Sequence, residues 1–261
     1  MSRICPLYSG STGNCTYIGT KNGSILVDAG ASLKGITESL SGVGAEIDEI
    51  KAVAVTHCHD DHIKGLRAVL KKTKAKLICS EKTAEILAEK NVLLPETEIL
   101  INERKISLYD TEISAFTTSH DVEGSRGYSV ILPDGKKFSV CTDTGVITDE
   151  ISGAIAGSDL ILLESNHDID MLKKGPYPPF LKVRIMSDKG HIYNAVCAEE
   201  IKKLYKPGTM RFILGHLSLN NNTPLLALST SESALMDLSA KNGKDYILTV
   251  AKPKGNGVTV I

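Results

Sequence analysis

The sequence has no tryptophan, only four phenylalanines, and no apolar run near the ~20 residues that a bilayer-spanning helix requires. It has almost no net charge, −1 over 261 residues, so no global field favours nucleic acid or a membrane surface. Any attraction for a charged partner must be local. The start, Met1-Ser2-Arg3-Ile4-Cys5-Pro6, has no apolar stretch of the kind that drives secretion. Six cysteines are present, with no C-x-x-C pair. Four lie in apolar or strand-like segments, where cysteine behaves as a small buried hydrophobe. All six read as reduced thiols, and the expected location is the cytoplasm, with no membrane association. Repeats and long linkers are also missing, so residues 1–261 are expected to form a single domain.

Short strand-like runs at 4–8, 16–18 and 25–27 come first, broken by Gly, Ser and Asn. A helix is expected after Ser32, with Leu33, Ile36 and Leu40 on one face. A strand at 51–55, a helix at 63–72, a strand at 76–80 and a helix at 81–90 follow. Residues 98–142 read almost wholly as strands, with a hairpin turning at Pro133-Asp134-Gly135. Beyond it come a helix at 147–156, an apolar strand at 159–163 and a Pro- and Lys-rich loop at 166–190. The pattern ends with helix 192–205, strand 210–214, helix 223–238 and strand 246–250. Thr223-Pro224 supplies a cap and first-turn pair for that last helix. Many strands with helices interspersed in both halves suggest two sheets packed face to face, with helices outside.

Residues 56–62 read THCHDDH: three of the chain's seven histidines fall in six positions directly after an apolar strand. The plain alternative is a polar loop of solvated histidines. In an extended segment, alternate residues point the same way, so His57 and His59 can reach one ion together. A turn at Asp60 would aim Asp61 and His62 at a second ion beside it. Imidazole with carboxylate suits Zn, Mn or Fe. Four ligands do not complete two sites, so others must arrive from distant strand ends. His120, Asp143 and His216 each follow a strand-like segment and precede a loop.

THCHDDH, together with Asp28 in ILVDAG, His120 in TTSHD, Asp143 in CTDTG and His216 in LGHLS, resembles the ordered five-motif signature of the metallo-β-lactamase superfamily. The resemblance spans about residues 4–250. It implies an α/β fold, a four-layer αββα sandwich with two divalent metal ions at one edge. Carried over by position, His57, His59 and His120 hold one ion, Asp61, His62 and His216 the other, and Asp143 bridges. Asp28 supports the loop without binding metal. YSGSTGNCTYI, LLESNHD, SDKGH and GHLSLNNNTP are further similar to the YycJ (WalJ) group of small exonucleases. That group reads GHLSN where this chain has Gly190-His191-Ile192-Tyr193-Asn194.

The cluster itself points to a hydrolase without naming the bond, since a dinuclear centre attacks phosphodiesters, thioesters, lactones or lactams. Three features lean toward phosphodiester. Lys64, Arg67, Lys71, Lys72, Lys74 and Lys76 follow the cluster with no acidic residue from 63 to 80, although such a run is also what a solvated helix face looks like. Residues 171–191 carry Lys173, Lys174, Lys182, Arg184 and Lys189 against Asp188 alone, with Tyr177 and Phe180 placed to stack on bases. The fourth motif carries a carboxylate, Asp143, where a cysteine would hint at a β-lactam enzyme. The segment 144–215 is too short for the domain that β-CASP-type RNA-processing relatives insert there.

The expectation is therefore a dinuclear phosphodiesterase using a metal-activated water, with DNA as the partner and, as the resemblance implies, 5′-to-3′ exonuclease polarity. The alternative is a small-molecule ester or thioester hydrolase; a metal-binding sensor or scaffold without turnover is a third class. The oligomeric state stays open. Asp61 and His191 are the candidate catalytic groups, His191 as a general acid. His167, Tyr177, Lys182 and Arg184 are candidate substrate contacts. So are Ser11 and Asn14, in a small-residue loop that either cradles a phosphate or simply connects two strands.

Overall fold

The computed structural model describes residues 2–205 and 208–261. Its first sheet contains β1 (Arg3–Tyr8), β2 (Cys15–Gly19), β3 (Ser24–Val27), β4 (Ile50–Ala54), β5 (Lys76–Cys79) and β6 (Ile99–Ile101) in sequence order. The second runs, in spatial order, from β7 (Lys105–Leu108) through β8 (Thr111–Thr117), β9 (Arg126–Ile131), β10 (Lys137–Cys141), β11 (Leu160–Glu164) and β12 (Arg211–Gly215) to β13 (Ile247–Val250). A last short strand, β14 (Thr259–Val260), returns to pair with β1. Strands β3 to β6 are parallel to one another, and so are β10 to β13.

Period-two alternation builds the layers. Leu160 and Leu162 of β11 pack with Ile25, Val27, Ala52 and Ile78 of the opposite sheet, forming the seam between sheets. Ile161 and Leu163 of the same strand face outward and meet helices. A strand buried on both faces reads as a continuous apolar run, which is why β11 is Leu-Ile-Leu-Leu before its single charge. Outside the first sheet lie α1 (Leu33–Gly42), the short α2 (Asp60–Ile63), α3 (Leu66–Thr73) and α4 (Glu81–Glu89). With the second sheet go α5 (Asp149–Ile155), α6 (Ile169–Lys174), α7 (Pro179–Ile185), α8 (Asn194–Tyr205) and α9 (Pro224–Met236). Helix, sheet, sheet, helix is the four-layer order expected from the sequence. Ser32 and Thr223 cap α1 and α9, accepting from Gly35 N and Leu226 N.

Two expectations need correction. The segment 166–190 is not one loop: it holds α6 and α7. Asp168 caps α6, and Pro179 opens α7 in the first turn, where a missing N–H costs nothing. Proline was thus a helix start, and Leu172 and Ile185 anchor the two helices inward. The helix at 63–72 is broken at Gly65, whose N–H donates to Ala29 O at 2.8 Å. A β-carbon there would lie 1.9 Å from Ala31 O, so only glycine lets the two segments touch. All six cysteines are free and buried.

Close backbone packing joins three loops under the functional edge. Asn14 N donates to Asp61 O at 2.7 Å, Gly30 N to Asn14 O at 2.8 Å, and Ala29 N to His62 O at 2.9 Å. A β-carbon on Gly30 would fall 1.6 Å from Asp61 O, a backbone atom that cannot rotate away. Gly30→Ala should therefore cost about 1–3 kcal/mol as an overpacked site. The expected observation is a lower Tm by calorimetry, accompanied by weaker metal retention because Asp61 is displaced. An unchanged Tm would mean that these loops are not packed as described.

Candidate metal centre

The polar residues meet where strands end. Asp28 follows β3, residues 56–62 follow β4, His120 follows β8, Asp143 follows β10, Glu164 ends β11 and His216 follows β12. In parallel sheets this carboxyl edge is where loops converge. Three of these residues turn sharply: Asp28, Asp143 and His216 have φ of 62°, 58° and 54°. The left-handed conformation swings each side chain across the edge instead of along it, at a modest conformational cost. His216 is held there by its N–H, which donates to Ser9 Oγ at 2.9 Å.

Five imidazoles are arranged in a common way, with one nitrogen tied outward and the other inward. His62 Nδ1–H donates to Asp28 Oδ2 at 2.7 Å, and Asp28 Oδ1 accepts from Thr56 N at 2.8 Å. His216 Nδ1–H donates to Glu164 Oε1 at 2.8 Å. His120 Nδ1–H faces Gly190 O at 3.3 Å, His57 Nδ1 meets Thr56 Oγ1 at 3.0 Å, and His59 Nε2 lies 3.4 Å from Asp121 Oδ1. Such outer partners fix the tautomer and leave the inner lone pair for an ion.

The inner atoms form two groups. His57 Nε2 and His59 Nδ1 are 3.1 Å apart, and His59 Nδ1 and His120 Nε2 are 3.2 Å apart. Ligands about 2.0–2.1 Å from one tetrahedral ion lie about 3.3 Å from each other, so this spacing fits a shared ion. In the second group, Asp61 Oδ2 is 3.5 Å from His62 Nε2 and 3.8 Å from His216 Nε2. Asp143 stands between the groups: Oδ2 is 3.3 Å from His62 Nε2, and Oδ1 is 3.8 Å from His120 Nε2 and 3.6 Å from His216 Nε2. Among the described residues, Asp143 Oδ2 and His216 Nε2 are buried with no hydrogen-bond partner. Buried polar atoms are rarely left so, and a bound cation would satisfy both. The donor set, nitrogen with carboxylate oxygen, therefore fits divalent metal.

The electrostatics agree. Burial, reinforced by neighbouring imidazoles, holds His57 and His59 below the usual histidine range, and burial does the same for His120. These three stay neutral with lone pairs available. Burial opposes charge on His62 too, but Asp28 and Asp143 overcome it and push its pKa up to about 9. His216 is raised likewise, Asp143 being the first of the groups that outweigh its burial. Burial works against the charge of Asp61, yet the neighbouring His216 and His62 imidazoles hold its carboxyl well below the usual range. Protons on His62 and His216 occupy the lone pairs a metal would use, and metal must displace them.

A cavity of 510 Å³ opens over this cluster. Of the expected substrate contacts, Ser11, Tyr177 and Arg184 line it, as does His191. The other three do not. Asn14 is buried beneath, its amide donating to Asp61 Oδ2 at 3.1 Å and to Gly10 O at 3.2 Å. Its place is in support of Asp61. His167 is fully buried, its backbone is paired with Tyr193, and burial lowers its pKa to about 4, so it is out of a substrate's reach. Its neighbour Asn166 lines the cavity instead. Lys182 turns away and donates to Lys173 O at 2.7 Å. In the basic run after the cluster, Lys72, Lys74 and Lys76 pair with Asp48, Glu96 and Glu98 at 3.0, 3.1 and 2.6 Å.

Several residues escaped the sequence. Glu164 is fully buried and accepts from both His191 Nδ1–H and His216 Nδ1–H at 2.8 Å. Its signal was present, a lone charge ending an apolar strand, as with Asp28. Asp121 lies against His59 and His120 and is gripped by Arg184 Nε at 2.6 Å. Lys90 reaches the cavity from the end of α4, and nothing local marks it.

Comparison with known proteins matches this geometry to a family. The model described as "Beta-lactamase superfamily domain" covers residues 24–216, from β3 through the last histidine of the cluster. The chain belongs to this superfamily. Exodeoxyribonuclease YycJ of Bacillus anthracis is 33% identical over 250 residues, covering 95% of this chain and 94% of the relative. Exodeoxyribonuclease WalJ of Streptococcus pneumoniae is 34% identical over 244 residues, covering 92% and 90%. Among solved structures, the metallo-β-lactamase fold protein YhfI from Bacillus subtilis superimposes with a TM-score of 0.74 at 14% identity, covering 99% of each chain. Within the superfamily fold, the metal-facing side chains come from both sheets.

Glu164 orients two imidazoles at once. Glu164→Gln should therefore reduce metal affinity about 10–100-fold, the usual effect of losing a partner that orients a ligand. Competitive chelator titration measures this. Unaltered affinity would show that His216 needs no carboxylate behind it.

Proposed function

We propose that the chain is a metal-dependent hydrolase of DNA, an exonuclease that removes nucleotides in the 5′-to-3′ direction. The observation that carries this reading is its likeness to two exodeoxyribonucleases along nearly its whole length, 95% and 92% of the chain. We further read residues 1–261 as a single catalytic domain acting in the cytoplasm, which suits six free buried thiols. Among the described residues no helix is long and apolar enough to cross a membrane.

Two divalent ions, Zn, Mn or Fe, would be held by His57, His59 and His120 on one side and by Asp61, His62 and His216 on the other, with Asp143 between them. When bound, such ions supply Lewis acidity and a reactive water at neutral pH. The protein's own groups do the remainder. Asp61, kept ionised as described, accepts a hydrogen bond from the attacking water and orients it. His191 lines the cavity and donates Nδ1–H to Glu164, so its tautomer and ring orientation are set and Nε2 is the atom able to carry a proton to the leaving oxygen. Ser11 and Arg184 offer hydrogen bonds to phosphate oxygens in the same cavity. Tyr177 in the wall and Phe180, 74% exposed on α7, present rings on which bases of a single strand can stack.

The test uses metal-loaded protein and end-labelled single-stranded DNA. A 5′ label should appear at once as a mononucleotide, while a 3′ label should pass through a descending ladder. The reverse pattern would overturn the polarity. Fast thioester hydrolysis with no DNA cleavage would hand the site to a small-molecule hydrolase. His191→Ala should keep metal and oligonucleotide binding yet slow cleavage about 10²–10⁴-fold. Arg184→Ala should weaken oligonucleotide binding and reduce its salt slope by about one unit.

A further inference from the structure

The basic run after the metal cluster divides into two sets. Lys72, Lys74 and Lys76 are paired with carboxylates. Lys64, Arg67 and Lys71 are exposed, and among the described residues none of them is in an ion pair. These three share one helix face with Asp60, because steps of four, three and four residues return a helix to the same side. The face carries across the break at Gly65. Lys64 (φ −50°, ψ −37°) and Gly65 (φ −97°, ψ −8°) keep helical angles, and Lys64 N–H donates to Asp60 O at 2.8 Å. Leu66, Val69 and Leu70 fill the other side of α3 and are buried.

The near end of this face meets the cavity over the metal cluster. Asp60 lines that cavity, and so does Lys90, whose ammonium is 3.6 Å from Asp60 Oδ1. Arg67 is fixed beside Lys90: its Nη1 donates to Asn91 O at 2.9 Å and to Leu93 O at 2.7 Å, just past the end of α4. Its Nε–H and Nη2 donors remain for an anion. Glu96, whose carboxyl feels the charge of Arg67, is itself held by Lys74 at 3.1 Å. Lys90, Lys64, Arg67 and Lys71 thus lead away from the cavity, and Asp60 is the only carboxylate on that helix face.

We infer that this stripe carries the DNA backbone beyond the cavity: while one phosphate lies over the metal cluster, Lys90 and then Lys64, Arg67 and Lys71 hold those that follow. The inference rests on reading the substrate as DNA, and it deepens that reading by giving the strand a path. In 5′-to-3′ degradation the phosphates on the stripe are those on the 3′ side, still awaiting removal. At about 1.5 Å per residue, Lys64 to Lys71 spans about 10 Å. That suits about two to three phosphates at roughly 3.4 Å of rise per nucleotide. The stripe holds no aromatic ring, so it grips phosphate without reading sequence. Rings stand on the α7 side instead, at Tyr177 and Phe180. A cationic track with separate stacking groups is how a single strand is held.

The test measures salt-dependent binding of single-stranded DNA to the metal-loaded protein, comparing a dinucleotide with a dodecanucleotide, each made resistant to cleavage at its first linkage. Lys64→Ala with Lys71→Ala should lower the salt slope for the dodecanucleotide by about 1.4 units, at about 0.7 per phosphate contact on a single strand. The dinucleotide is too short to reach the stripe, and its slope should hold. Arg67 is left in place because it also secures the end of α4. Lys241→Ala with Lys244→Ala removes the same charge from the turn before β13, at the opposite end of the strands from the metal cluster, and should leave the dodecanucleotide slope as it is. A dodecanucleotide slope unmoved by the Lys64 and Lys71 changes, or an equal fall with the dinucleotide or in the Lys241 and Lys244 variant, would overturn the track. If DNA is still degraded in that case, the exonuclease reading stands without it. A slope that depends on the stripe, in a protein that cleaves no DNA, would keep the track and overturn the exonuclease. No salt-dependent binding of the dodecanucleotide by the native protein would overturn both.

Discussion

Asp28, Asp61, Asp143 and Glu164 are all brought to one sheet edge, three of them almost wholly out of water, and the rest of the structure accommodates that concentration of negative charge. Buried carboxylates are tolerated only when each meets hydrogen bonds and opposite charge. Here the compensation is shared with five imidazoles, each of which contributes an outer nitrogen to a neighbouring group and an inner nitrogen to the centre. A divalent cation would complete the arrangement, which otherwise relies on protons at His62 and His216. The left-handed turns at Asp28, Asp143 and His216 and the glycine contacts at 30 and 65 make sense in the same terms. They hold the loops close enough for the charges to meet.

Building the centre from both sheets also explains why the seam between them must be rigid. Asp28 and residues 56–62 come from the first sheet, while His120, Asp143, Glu164 and His216 come from the second. A slide of the sheets would pull each ligand group apart, since both groups draw on the two sheets. Leu160 and Leu162, interleaved with Val27, Ala52 and Ile78, resist it. Tyr128 adds a polar tie across the seam, its hydroxyl donating to Val55 O at 2.8 Å.

Much of this was legible in the sequence, and the reason is specific. A polar residue directly after an apolar strand is conspicuous, so Asp28, the 56–62 cluster, His120, Asp143 and His216 stood out. Glu164 carried the same mark but went unassigned, because it fell inside a motif read for its histidine. That histidine, His167, is buried away from the cavity, and Asn166 faces it instead. Alternation along the strand decides which neighbour faces in, and it is lost once the chain leaves the strand. The helices α6 and α7 were hidden by prolines, which mark loops as readily as first turns. Half of the basic run 64–76, Lys72, Lys74 and Lys76, is paired with Asp48, Glu96 and Glu98, which are distant in sequence. Pairing of surface charge is a tertiary property, and composition does not reveal it.

The central claim is that seven side chains hold two ions through one shared carboxylate. Metal stoichiometry by isothermal titration of chelator-stripped protein, compared between the native chain and Asp143→Ala, tests it most directly. The account predicts two ions per native chain, and weakened binding at both sites when Asp143 is removed, because each ion loses the same ligand. One ion per native chain, or an Asp143→Ala protein that still takes up two with native affinity, would contradict it.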